Sequence, residues 1–220
     1  MSIGGNNRAY QVKNPDKPRR QPPPLDLIDA LSSIPCPSDS GFEDDEWKVL
    51  VDAFRYTGAR LSELCGLRAE DVHRVNDIPI IEVKVAMIPL RRKGVYRDGY
   101  RAIPVHPRLE SMLFARAGLI KSGEMFPGSG RCDERMGSRT YTHYGRHFSR
   151  LYLRRAREIW SLMHMHSWRL HIIHYFCRVA GVPEVMCEDI LGYAHGLRSD
   201  RFCSGRAPME ILYSMVKRLP

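Results

Sequence analysis

The chain has 220 residues, 43% of them hydrophobic, enough for one domain of ordinary size with a sizeable core and a tail. It shows no apolar run of roughly eighteen residues and no charged, apolar leader, so neither a membrane span nor a secretory signal is expected, and a cytoplasmic, DNA-associated place is. A formal net charge of +9 favours a polyanionic partner, because lysines and arginines that neutralise phosphates release counterions. Double-stranded DNA is the first candidate, ahead of an anionic membrane, for which no amphipathic helix with a large apolar face is evident.

Residues 1 to 24 combine Gly4-Gly5-Asn6-Asn7, the basic residues Lys13, Lys17, Arg19 and Arg20, and Pro22-Pro23-Pro24. Such a composition cannot bury enough surface to fold alone, so it reads as a flexible arm or interdomain linker, with residues 25 to 220 as the folded domain. A short helix is expected from Leu25 to Ser33, then a loop from Pro35 to Gly41. From Phe42 to Tyr56 a longer helix carries Trp47, Leu50, Val51 and Phe54 on one stripe, with Glu43 to Glu46 suiting its N-terminal dipole. Gly58 suits the end of that helix, and Arg60 follows at once. Leu61, Leu64 and Cys65 mark a second short helix, so Arg60 is expected at a corner between two packed helices. A guanidinium mounted there suits an anion; it equally suits capping of the helix carbonyls or an ion pair with Glu63.

After Asp71 the pattern changes to β-branched residues from Ile78 to Ile88, with a second extended piece from Arg101 to Val105, predicting a small hairpin. Between them Arg91-Arg92-Lys93-Gly94 forms a cationic tip that either stays in water or reaches into a groove. Pro107 opens a helix towards Ala117. Residues 139 to 160 read as a long helix in which Arg146, Arg150, Arg154 and Arg157 share one face, with no acid until Glu158. An unmixed stripe of that sign favours contact with a phosphate backbone.

In the next helix His166 and Arg169 are three residues apart, and Ile172, Phe176, Val179 and Ala180 are expected to face inward. Gly181-Val182-Pro183-Glu184 starts another helix reaching Leu191-Gly192-Tyr193, and Pro208 opens the last, with Met209, Leu212 and Met215 on one side. The six cysteines include no C-x-x-C pair, which speaks against a disulfide framework or a structural zinc and leaves them as reduced thiols. His171, His174 and Cys177 fall on one helix without a second ligand cluster, so that spacing marks a helix face, and neither metal nor cofactor is expected.

Taken together, Thr57-Gly58-Ala59-Arg60-Leu61-Ser62-Glu63, the hairpin ending Arg101-Ala102-Ile103-Pro104-Val105-His106-Pro107, His166-x-x-Arg169, and Gly181 through Leu191-Gly192-Tyr193 resemble the catalytic domain of the tyrosine recombinases, the phage-integrase family. The order and spacing match across residues 40 to 220. The resemblance implies a mainly α fold with a small antiparallel β-sheet, and a DNA breaking and rejoining activity that works through a phosphotyrosine link. It implies that Arg60 and Arg169 clamp the scissile phosphate and that His166 handles a proton. Lys93, with Lys84 as the fallback, would protonate the leaving oxygen, and Tyr193 would complete the pocket. Partners would be double-stranded DNA and other recombinase protomers.

The sequence also departs from the family pattern. Nine residues beyond Tyr193, where the nucleophilic tyrosine is expected, stands Phe202, and a ring without a hydroxyl cannot attack phosphorus. Leu170 replaces a histidine often seen after the arginine, and one surplus residue separates Arg169 from Gly181. Phe202 fits either an introduced Tyr-to-Phe change in an active enzyme or a natural member that lost cleavage and kept DNA binding. Tyr213 as a substitute nucleophile is disfavoured, since it lies in the last helix beside Leu212 and Met215.

Overall fold

A computed structural model describes residues 21–84, 100–126, 143–192 and 207–220. The apolar stripe of the second helix becomes α2, Asp44–Thr57, preceded by a 3-10 turn, Leu25–Leu27, and the short α1, Ile28–Ser32. From Val49 to Thr57 every residue of α2 is buried, so the helix runs through the centre of the domain. Trp47, 2% exposed, donates its Nε1–H to the Ile34 carbonyl at 2.9 Å and ties the loop after α1 to α2. Phe42, Trp47, Phe148 and Tyr152 pack edge-on, tilted and stacked, which joins α2 to the long basic helix.

Gly58 stops α2 in the left-handed conformation (φ 57°), and α3, Leu61–Cys65, starts three residues later. The sheet has three antiparallel strands rather than two: β1, Val72–Val75, β2, Ile78–Lys84, and β3, Tyr100–Pro104, in the order β1-β2-β3. The register sets Val72 opposite Ile81 and Ile81 opposite Ile103, which turns one face towards the core. β1 was not expected from its four-residue Val-His-Arg-Val sequence. Its signal is the two-residue turn Asn76-Asp77, whose φ values of 48° and 61° match the twist a tight hairpin needs.

The remaining helices are α4, Pro107–Ile120, α5, His143–Ile159, α6, Met165–His174, α7, Glu184–Leu191, and α8, Met209–Val216. α6 continues into a π-helical turn, Tyr175–Val179, closed by Ala180 N–H on the Tyr175 carbonyl at 2.8 Å and ended by Gly181 (φ 64°). A π turn holds about one residue more than an α turn, which is what the surplus residue implied here by the family resemblance would need. The inward face therefore holds at Ile172 and Phe176, each 0% exposed, but not at Val179, which the wider turn carries out to 52% exposure. In α8, Leu212, Met215 and Val216 are buried against β2 and β3 of the same domain, so this helix folds back instead of offering that side to a neighbour. Among the described residues no helix is long and apolar enough to cross a membrane.

Candidate functional site

The end of α2 lies beneath α6 and α7. A Cβ on Gly58 would come within 2.9 Å of Leu191 Cδ2 and 3.0 Å of Ile172 Cγ1, so only glycine fits this crossing with its positive φ. Arg169, 2% exposed, reaches into the same junction and donates from Nη1 to the Gly58 carbonyl at 3.0 Å and from Nη2 to the Leu191 carbonyl. Both acceptors stand at helix C-termini, where unsatisfied carbonyls carry partial negative charge, which accounts for burying a guanidinium there. Arg169 thus meets the chain two residues before Arg60.

Arg60 is the N-cap of α3, in extended conformation. Its backbone N–H donates to Glu63 Oε2 at 2.6 Å and its Nη1 to Glu63 Oε1 at 2.6 Å. The ion pair with Glu63 is therefore present, and it holds the guanidinium while 26% of the Arg60 side chain stays exposed. Glu63 has a second partner from β3. Arg101 donates from Nη1 to Oε1 at 3.0 Å and from Nη2 to Oε2 at 2.7 Å, with its side chain 7% and that of Glu63 2% exposed. Burial alone would raise the Glu63 carboxyl, but the Arg101 hydrogen bonds and the charges of Arg101 and Arg60 outweigh it and hold it at about 2.

Arg101 also donates from Nε to the Ile190 carbonyl at 3.0 Å, one residue before the Arg169 acceptor. A Cβ on Gly192 (φ 63°) would sit 2.7 Å from Arg101 Nη1, so the Leu-Gly pair that ends α7 makes room for this arginine. Three guanidinium groups, those of Arg60, Arg101 and Arg169, are thus tied to one carboxylate and three main-chain carbonyls. The excess positive charge opens to solvent at Arg60. Arg101 carries no role in the family resemblance; its signal in the sequence is a charge at a strand position two residues from fully buried Ile103, on the inward phase.

His166 lies half-buried in the first turn of α6, three residues before Arg169. Lys93, Arg91, Arg92, Tyr193 and Phe202 lie outside the described residues. On α5, Arg146, Arg150, Arg154 and Arg157 are exposed while Phe148, Tyr152 and Ala156 are buried behind them. Arg157 donates from Nε to the Met163 carbonyl at 3.0 Å, so it also closes the turn into α6. Gly145, next to Arg146, packs on α3: a Cβ there would lie 3.3 Å from Cys65 Sγ and 3.5 Å from Leu61 Cγ. The basic stripe therefore starts beside the helix that Arg60 caps. Among the described residues no group of three or more histidine, cysteine or acidic side chains is arranged to hold a metal. His171, 1% exposed, is held at about 4 by burial and by the Arg55 and His174 charges.

No family model matches the chain. The tyrosine recombinase XerC of Thermodesulfovibrio yellowstonii is 30% identical over 107 residues, which make up 49% of this chain and 32% of that protein. Among solved structures, the integrase from mycobacterium phage Brujita is similar over 95% of this chain and 62% of its own, with a TM-score of 0.59 and 15% identity. The XerA recombinase is similar over 91% of this chain and 61% of its own, with a TM-score of 0.52 and 16% identity. The chain thus spans less than two thirds of each of these relatives. On the sequence match and the shared architecture, it has the catalytic-domain fold of the tyrosine recombinase family.

Proposed function

We propose that the chain is a tyrosine-recombinase catalytic domain that binds duplex DNA and seats one backbone phosphate at the Arg60 corner, without cutting it as written. The observation that carries this reading is the pair of guanidiniums, Arg60 and Arg101, on the one carboxylate of Glu63, open to solvent at Arg60, with Arg169 anchored on the Gly58 carbonyl two residues before that corner. A guanidinium stays charged at any working pH and presents a planar fork to two phosphate oxygens. Arg60 would contact the phosphate, and Arg169 behind it would add to the field that offsets charge building on phosphorus during displacement. His166 and Lys93 would move protons, with Tyr193 completing the pocket. Arg146, Arg150 and Arg154, with Arg91 and Arg92, would follow the flanking backbone, and Arg157 would add charge at the end of the stripe.

With a tyrosine at position 202, the phenolic oxygen would attack phosphorus and the 5′ oxygen would leave with a proton, giving a 3′-phosphotyrosine. Phe202 has no oxygen to attack with, so the chain as written would bind and hold. A second reading, a naturally non-catalytic DNA-binding or regulatory member of the same fold, is favoured by the coincidence of Phe202 with Leu170 and Tyr193. Either reading includes assembly with further protomers on DNA, on surfaces other than the buried side of α8. The test is Phe202→Tyr on a nicked suicide duplex carrying the cognate site. A covalent protein–DNA adduct supports the disabled enzyme; intact binding without an adduct supports the second reading; no binding rejects both.

A further inference from the structure

We infer that Cys177 and Cys187 are a redox pair that closes to a reversible disulfide on exposure to a peroxide or a small-molecule disulfide. Their sulfurs stand 3.5 Å apart, although one lies in the π turn after α6 and the other in α7. A disulfide needs about 2.0 Å between sulfurs, so the two must approach by roughly 1.5 Å. The wide turn that holds Cys177 supplies the means. It is closed by Ala180 N–H on the Tyr175 carbonyl and Val182 N–H on the Phe176 carbonyl, and it ends on Gly181, around which open space lies where a side chain would stand.

The two thiols differ in access, which orders the chemistry. Cys177 is half-buried and Cys187 is 2% exposed. With hydrogen peroxide, the Cys177 thiolate attacks one peroxide oxygen, the O–O bond breaks, and a sulfenic acid and hydroxide result, the hydroxide taking up the proton the thiol had released and leaving as water. The Cys187 thiolate then attacks the sulfenic sulfur, the S–O bond breaks, and hydroxide leaves as the disulfide forms, taking the proton of the Cys187 thiol to become a second water. With glutathione disulfide, Cys177 displaces one glutathione thiolate and Cys187 displaces the other. The peroxide or the glutathione disulfide is reduced by two electrons, and the thiol pair is oxidised by two. Cys65 marks the contrast: burial and Glu46 push its thiol up to about 12, and no second sulfur touches it among the described residues.

Closure would pin α7 to the π turn three residues before Ile190, whose carbonyl holds Arg101, and four before Leu191, whose carbonyl holds Arg169. The oxidised state therefore stiffens the mount of both buried arginines. The inference stands on the sulfur geometry and does not depend on what the site binds.

The experiment treats the full chain separately with hydrogen peroxide and with glutathione disulfide, digests it without reductant, and maps the linked peptides by mass spectrometry. The expected result is one dominant bridge, Cys177 to Cys187, lighter by two hydrogens than the thiol pair and reversed by dithiothreitol. Oxidation should also raise the thermal midpoint by a few degrees, because the loop is closed in the unfolded chain. Cys187→Ser should stop the bridge and leave glutathione on Cys177. Bridges made mainly through Cys132 or Cys203, or an unbridged pair after an added small thiol has been fully oxidised, would overturn the inference. The mapping uses the unaltered chain, so its outcome stands even if the serine variant does not fold.

Discussion

Arg101 grips Glu63 with both terminal nitrogens, at 3.0 and 2.7 Å, and the same carboxylate holds Arg60 at 2.6 Å. One buried acid thus sets the distance between a strand and the helix that presents the outward arginine. Removing its charge leaves two guanidiniums facing each other without a counterion. Glu63→Gln should destabilise the fold by about 3–5 kcal/mol, as breaking one partner of a buried pair does, read from urea unfolding. Arg101→Lys, which keeps the charge and loses the fork, should cost less than Arg101→Met. An unchanged midpoint for Glu63→Gln would mean that the carboxylate is dispensable.

Gly192 has a backbone φ of 63° and no room for a side chain, because Arg101 Nη1 would be 2.7 Å from its Cβ. Gly192→Ala should lower stability by roughly 1–3 kcal/mol through strain and displacement of Arg101. Gly181→Ala is the matched control, with a φ of 64° but nothing within 4 Å, so it should show the strain alone and a smaller loss. Equal losses at the two positions would dismiss the crowding around Arg101.

The pH dependence follows from three buried groups. Burial, with the charges of Arg108 and Arg55, holds His106 at about 4, and His171 is likewise held at about 4. Both histidines are neutral in the folded protein and take up protons near 6.5 once unfolded, so the unfolded state binds more protons between 6.5 and 4. Their stabilisation is complete above 6.5 and is lost as pH falls towards 4. Glu63 is still ionised there; its contribution is full above 4.5 and lost as pH falls towards about 2. Urea midpoints across this range should decline in those two stages. His171→Phe, which keeps a buried ring, should flatten the first by about one proton; an unaltered slope would show that His171 does not titrate as described.

The exposed arginines of α5 predict a sequence-independent effect on DNA binding. Replacing Arg150 and Arg154 by alanine should weaken binding to all duplexes and reduce the salt slope by about one for each phosphate no longer neutralised. Fluorescence anisotropy at several salt concentrations reads both quantities. Unchanged affinity and slope would remove this face from the interface.

Most of the helical frame was legible because its signals are local: the stripe of α2, the acidic start of α2, Gly58 and Pro107 all state their positions in a few neighbouring residues. Arg60 at a corner was legible for the same reason. The cluster around it was not, because Arg101 and Glu63 are 38 residues apart and meet only when β3 is packed beside α3. The π turn was visible only as a surplus residue, since no local pattern distinguishes a widened turn from an added loop position, and Val179 was misplaced by it. The apolar side of α8 suits a neighbouring protomer as well as its own domain, and only the packing of the sheet decides which of them covers it.

The central claim is that the Arg60 corner receives a backbone phosphate, and the most direct measurement is anisotropy of a labelled duplex titrated with the unaltered chain and with Arg60→Ala. The account predicts salt-dependent binding by the unaltered chain and a loss of roughly tenfold or more for Arg60→Ala with folding kept, the size expected for a charge-assisted contact. Equal affinity of the two proteins, or no binding of duplex by the unaltered chain even at low salt, would contradict it.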